Sequence, residues 1–198
     1  MARKAPGKKN SGAEICILAG GLSKRMGRDK SRLRLGRRSL LNIIRSTAEE
    51  SGLPVRVIRK DCVPRCGPLG GILTALTTSR THQVLFLACD MPFVTPDLLN
   101  SLLRSSKASS KRGRQPGALF VLHEGHAGFP FLIDTRHGET VWKEIQAKRL
   151  SLQNLARVLK ARTIRVPPRW QAQLENLNTP VKWACSRRRW QEEKRELL

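Results

Sequence analysis

The stretch Ile15-Cys16-Ile17-Leu18-Ala19-Gly20-Gly21-Leu22-Ser23-Lys24-Arg25-Met26-Gly27-Arg28-Asp29-Lys30 passes from an apolar run straight into glycines and cations. Residues 15–18 have the length and composition of a buried strand. The glycines that follow can adopt backbone angles closed to other residues, and without side chains they let amides point at a ligand. Arg25 and Lys30 add fixed positive charge. A strand emptying into such a turn predicts a bound polyphosphate at the strand's end. The turn lacks the Gly-Lys-Ser/Thr ending of a Walker loop, and it does not fit Gly-x-Gly-x-x-Gly either.

Outward from this turn, strands and helices alternate. Residues 55–58 and 84–88 are short apolar runs, and residues 39–51, 69–79 and 96–105 read as helices between the strands. Thr95 is placed to cap the last of these, with Pro96 at its first helical position. This alternation predicts parallel strands joined by helical crossovers, hence a layered α/β domain with a mostly parallel sheet. Residues 105–117 are polar and basic and read as a mobile loop. Strands over 118–122 and 129–133 flank a turn at 124–128. Helices over 139–148 and 152–161 and a strand near 163–166 complete the domain. Residues 1–13 read as a disordered basic arm, 14–180 as one domain, and 181–198 as a basic, partly amphipathic tail.

The chain of 198 residues, 39% hydrophobic, suits a single domain with a real core. No apolar run approaches the roughly 18 residues of a membrane helix. The N-terminus lacks the apolar centre of a secretory signal, so the expected location is cytoplasmic. Of five cysteines, Cys16 and Cys89 fall in apolar runs and are expected to be buried, reduced thiols. Cys62 and Cys66 form a lone pair with no second pair or nearby histidine, which is no zinc site. The four histidines have no metal-like spacing. A formal net charge of +23 predicts salt-sensitive, nonspecific association with polyanions. Its carriers would be the two basic ends, Arg3, Lys4, Lys8 and Lys9 at one and Arg187, Arg188 and Arg189 at the other.

Residues 18–30 resemble, over nearly all of their length, the N-terminal signature of molybdenum cofactor guanylyltransferases. That family belongs to the larger nucleotidyltransferase group. The resemblance implies a single three-layer, Rossmann-like domain in which Leu18, Ala19, Gly20 and Gly21 line the nucleotide. The glycines and Arg25 would wrap the triphosphate, and Lys30 would contact phosphate oxygens. Related cytidylyltransferases usually carry Ala-Ala-Gly where this chain has Ala19-Gly20-Gly21, which favours guanine. Gly67-Pro68-Leu69-Gly70-Gly71 resembles the second glycine motif of the family, which packs near the base. Asp61 matches the acidic residue that reads guanine, and a carboxylate suits the N1 and exocyclic amino donors of that base.

Leu87-Ala88-Cys89-Asp90-Met91-Pro92-Phe93 places Asp90 at the end of an apolar strand, where open α/β sheets bind ligands. A hard oxygen ligand there suits Mg2+ bridging phosphates, and the family uses this residue to hold the metal. Asn176-Leu177-Asn178-Thr179-Pro180 resembles the C-terminal Asn-x-Asn-Thr-Pro motif on the pterin side of the cleft. Amides two residues apart on an extended segment can point the same way. Here Val181-Lys182 follow where acidic residues are common, and residues 125–131 fit the family's Gly-x-x-x-Pro region only loosely.

The resemblance thus implies transfer of GMP from GTP to the phosphate of molybdopterin, or of the molybdenum cofactor, with release of pyrophosphate. Arg25, Lys30 and Asp90 would carry the catalysis by alignment and charge neutralisation. Two other readings stay open: a related cytidylyl or sugar-phosphate enzyme, and a nucleic-acid-binding protein on the same scaffold. Against the last, aromatic residues are only 5% and tyrosine is absent, so base-stacking platforms are not visible.

Overall fold

A computed structural model describes residues 10–20, 33–108 and 117–195. The strands are β1 (Asn10–Leu18), β2 (Arg34–Leu35), β3 (Arg38–Ser39), β4 (Val55–Ile58), β5 (Thr81–Ala88), β6 (Ala118–His123), β7 (His126–Asp134) and β8 (Arg162–Arg165). The helices are α1 (Leu40–Glu49), α2 (Pro68–Thr78), α3 (Pro96–Ala108), α4 (Gly138–Gln146), α5 (Leu152–Val158), α6 (Pro168–Gln171) and α7 (Pro180–Arg195).

Six strands form one sheet in the order β4-β1-β5-β7-β6-β8. β1 pairs in parallel with β4 and β5, and β6 pairs in parallel with β8. Because β7 is antiparallel to both β5 and β6, it alone runs against the other five. The C-terminal ends of β1, β4, β5, β6 and β8 therefore open on one edge. The chain leaves β1 for β4 on one side and returns to β5 on the other, so the switch point lies at β1 and β5.

Alternate residues of the strands face opposite sides, as the pleat requires. Ile15, Ile17, Leu85, Leu87, Leu119 and Val121 meet Leu41 and Ile44 of α1 and Leu98, Leu99 and Leu102 of α3. Cys16, Val84, Phe86, Phe120 and Phe131 meet Leu69, Ile72 and Leu76 of α2, Val141 of α4 and Leu155 of α5. The result is three layers, helix on sheet on helix. A smaller cluster of Leu35, Leu40, Ile43 and Leu177 takes Trp183 and Trp190 of α7 against it.

Several boundaries differ from the sequence reading. β1 starts at Asn10, inside the stretch read as arm, because Asn10 still pairs with Thr81 across a register shift. α3 runs to Ala108 rather than ending at 105, and residues 109–116 lie outside the described residues. The turn expected over 124–128 is only Glu124 and Gly125, at φ 51° and 79°. Two successive positive φ values make the tight hairpin turn, so β7 begins at His126. Of the stretch 181–198 read as a tail, residues 181–195 belong to the helix α7, which carries Trp183 and Trp190 onto the third cluster. Cys16 and Cys89 are buried and in no disulfide, as expected, and Cys66 joins them. His137 is half-buried in a short 3-10 turn, and its Nε2 has no partner among the described residues. No helix among the described residues is long and apolar enough to cross a membrane.

Candidate active site

At the switch point the ends of three strands are tied together by main-chain bonds. Ala19 N–H donates to the carbonyl of Ile58 at 2.9 Å, and Cys89 N–H donates to that of Leu18 at 3.3 Å. Leu18, Ala19 and Gly20 thereby end between the β4 and β5 edges. A methyl group on Gly20 would lie 2.9 Å from the Arg59 carbonyl oxygen, so only glycine lets these two chain segments approach so closely. Gly21, Arg25 and Lys30, the rest of the predicted phosphate turn, lie outside the described residues.

Beside this end stands the start of α2. Gly67 precedes the helix at φ 56° and ψ −143°, a conformation that penalises any side chain, and Pro68 occupies the first turn without wasting a donor. Asp61 leans into the space between β1 and this first turn. A methyl on Gly70 would come within 2.8 Å of one Asp61 carboxylate oxygen, and a methyl on Gly71 within 3.3 Å of the other. Burial pushes the Asp61 carboxyl above the ordinary 3.8. A desolvated carboxylate in that state favours any ligand that brings N–H donors. Asp61, Gly20, Gly70 and Gly71, far apart in the chain, thus meet in one wall of the cleft, with Gly67 and Pro68 opening the same helix and Leu69 buried beneath it in the second core cluster.

Asp90 follows the end of β5 and is half-buried. Its carbonyl oxygen accepts the N–H of Leu177 at 3.0 Å. That bond docks the 176–180 segment on the Asp90 turn and gives the cleft its second wall. The Oδ1 of Asn176 is buried and has no partner among the described residues. An orphaned acceptor at this depth is costly unless a ligand donates to it. Past Asn176 the same edge opens into a cavity of about 650 Å³, lined by Leu122, His123, Arg165, Gln171 and Glu175 among others.

Among the described residues no three His, Cys, Asp or Glu side chains cluster to hold a metal. A single half-buried carboxylate such as Asp90 fits Mg2+, which takes one or two protein oxygens and leaves the remaining positions to phosphate and water. Cys16, the thiol within β1, is pushed up to about 12 by burial and is no nucleophile.

Two contributors escaped the sequence reading. The main-chain N–H of Leu177 lies inside the quoted motif, but nothing in composition says where it points. Gln173 accepts from both the N–H and the hydroxyl of Thr95, at 3.2 and 3.0 Å, and so holds the segment before Asn176 to the start of α3. Contacts across 78 residues leave no local signal.

A glycine-ended strand meeting a carboxylate-ended strand at the switch point of such a sheet is the arrangement nucleotidyltransferases share, and the chain is of that class. It belongs to the family of MobA-like NTP transferase domains, which matches residues 15–63 and 43–166. It is 34% identical over 126 residues to a probable molybdenum cofactor guanylyltransferase of Pelotomaculum thermopropionicum, covering 54% of this chain and 61% of that one. It is 27% identical to a molybdenum cofactor guanylyltransferase of Xanthomonas euvesicatoria, covering 85% of this chain and 90% of that one. The chain spans between 50% and 61% of the length of seven of the curated relatives it matches. In fold it resembles the molybdopterin-guanine dinucleotide biosynthesis protein A of Archaeoglobus fulgidus. That likeness has a TM-score of 0.65 at 19% identity and covers 92% of this chain and 99% of the other.

Proposed function

We propose that this protein transfers GMP from GTP to the terminal phosphate of molybdopterin, or of its molybdenum-loaded form. The observation that carries the reading is the half-buried Asp61 carboxylate, set between Gly20 and Gly70 on the same sheet edge as Asp90. The names of its relatives support the same reading.

In this reaction a phosphate oxygen of the acceptor attacks the α-phosphorus of GTP. A new P–O bond forms as the bond to the β-phosphate oxygen breaks, and pyrophosphate leaves with the negative charge. The attacking oxygen is already anionic, so no side-chain nucleophile is needed and catalysis rests on alignment and charge. Asp61 accepts from guanine N1 and the exocyclic amino group, with Gly67, Pro68 and Leu69 against the base. Leu18, Ala19, Gly20 and Gly21 face the phosphates, where Arg25 and Lys30 neutralise charge. Asp90 would hold Mg2+, which offsets charge on the phosphates when bound. Asn176 and Asn178 direct hydrogen bonds to the acceptor, and Asn176 Oδ1 supplies an acceptor atom in want of a donor.

The reaction belongs in the cytoplasm, in keeping with five cysteines that form no disulfide among the described residues. The exposed Lys182, Arg187 and Arg188 of α7 support a second, nonspecific affinity for polyanions, which salt would abolish.

Calorimetry of GTP, CTP and ATP with Mg2+ on the wild type and Asp61→Ala tests the reading. It predicts a GTP preference that collapses in the variant. Equal binding of all three, fading with salt, would contradict it.

A further inference from the structure

Thr74 lies one helical turn beyond Gly70 on α2. Its hydroxyl donates to the Gly70 carbonyl at 2.8 Å, a local bond common for threonine in helices. The same oxygen accepts the main-chain N–H of Cys62, also at 2.8 Å. That second bond reaches off the helix to the residue immediately after Asp61. Thr77, by contrast, spends its hydroxyl on the helix carbonyls of Leu73 and Thr74. Thr74 therefore bolts the 61–63 loop to the helix turn against which the Asp61 carboxylate lies.

The space there leaves little tolerance. Gly70 and Gly71 lack side chains where the Asp61 carboxylate oxygens approach, and the Val63 carbonyl comes equally close to Gly70. A loop free to shift by a few tenths of an ångström would move both carboxylate oxygens relative to a bound base. Two hydrogen bonds to one purine edge need both oxygens in place, and charge-assisted bonds of this kind are sensitive to geometry.

We propose that Thr74 is a positioning residue for base selection, holding Asp61 where both of its oxygens meet a guanine edge. The inference rests on Asp61 reading guanine. Inosine triphosphate is the discriminating probe, because it keeps the N1 donor of GTP and lacks the exocyclic amino group. Dissociation constants for GTP and ITP, measured with Mg2+ by calorimetry, read out the second bond directly.

In the wild type GTP binds about tenfold more tightly than ITP, one charge-assisted hydrogen bond's worth. Thr74→Val removes the bolt while keeping shape, and the preference falls to about twofold or threefold, mainly through weaker GTP binding. Thr74→Ser restores it. The Cys62 N–H is solvent-exposed and finds water in the valine variant, so the unfolding temperature holds. A Thr74→Val variant that keeps the wild-type preference, or weakens both nucleotides equally with a lowered unfolding temperature, overturns the proposal. Asp61→Ala separates the two failures. If it abolishes the preference while Thr74→Val does not, the reading of Asp61 stands and the role of Thr74 falls. If Asp61→Ala keeps the preference, both fall.

Discussion

The N–H of Leu177 and the carbonyl of Asp90 are joined by a 3.0 Å hydrogen bond, so the segment bearing Asn176 and Asn178 hangs from the main chain of the Asp90 turn. The Asp90 turn and the 176–180 segment are therefore one mechanical unit, and the Asp90 side chain can be altered without cutting the bond that joins them. Asp90→Asn is expected to keep its unfolding temperature yet lose turnover on the order of 100-fold at millimolar Mg2+. Turnover assayed across a Mg2+ series checks this. Near-normal rates would remove Asp90 from the metal site.

Gly70 and Gly71 are neighbours with different tolerances. A methyl on Gly70 meets the Val63 carbonyl at 2.7 Å, which is main chain and cannot step aside. On Gly71 the nearest atom, at 3.1 Å, belongs to the flexible end of Leu18. Gly70→Ala should cost about 1–3 kcal/mol in stability and weaken GTP, and Gly71→Ala less than half of that. Thermal unfolding and GTP titration on the pair decide it.

Acid should weaken GTP earlier than an ordinary carboxylate would. Burial raises the Asp61 carboxyl above its usual 3.8, so as pH falls it takes up a proton sooner and loses one acceptor oxygen. The phosphates of GTP and ATP titrate alike, so the ratio of the two affinities isolates Asp61. That ratio should fall toward unity on the acid side in the wild type and stay flat in Asp61→Ala.

Glu144, on α4, governs acid stability. Its buried carboxylate takes Arg149 Nη2 at 2.7 Å and Nε at 2.8 Å, with Asn154 as a third donor. The Arg149 bonds lead in lowering its carboxyl from 4.5 to about 2. A lowered folded value means that the stabilisation is full above 4.5 and drains away as pH falls toward about 2. Chemical denaturation across that window should show the decline in the wild type and a flatter profile in Glu144→Gln.

Much of this fold was legible because its central strands are buried on both sides and read as apolar runs between capped helices. The Thr95-Pro96 start of α3 and the 55–58 strand appear where the sequence places them. Gly67 and Asp90 were legible for a related reason, since a backbone demand or a strand-end carboxylate leaves a residue-type mark. The bonds that assemble the site left none. Leu177 to Asp90, Thr74 to Cys62 and Gln173 to Thr95 depend on where remote segments dock. The α7 helix was also missed, because its charge obscures the few residues, Trp183 and Trp190, that pack.

The most direct test of guanylyl transfer is to supply the protein with molybdopterin, Mg2+ and either GTP or CTP, and to weigh the pterin product by mass spectrometry. The account predicts a guanine dinucleotide with GTP, stoichiometric pyrophosphate, and little product with CTP. A cytosine dinucleotide formed equally well, or no dinucleotide at all from an intact protein that binds GTP, would contradict it.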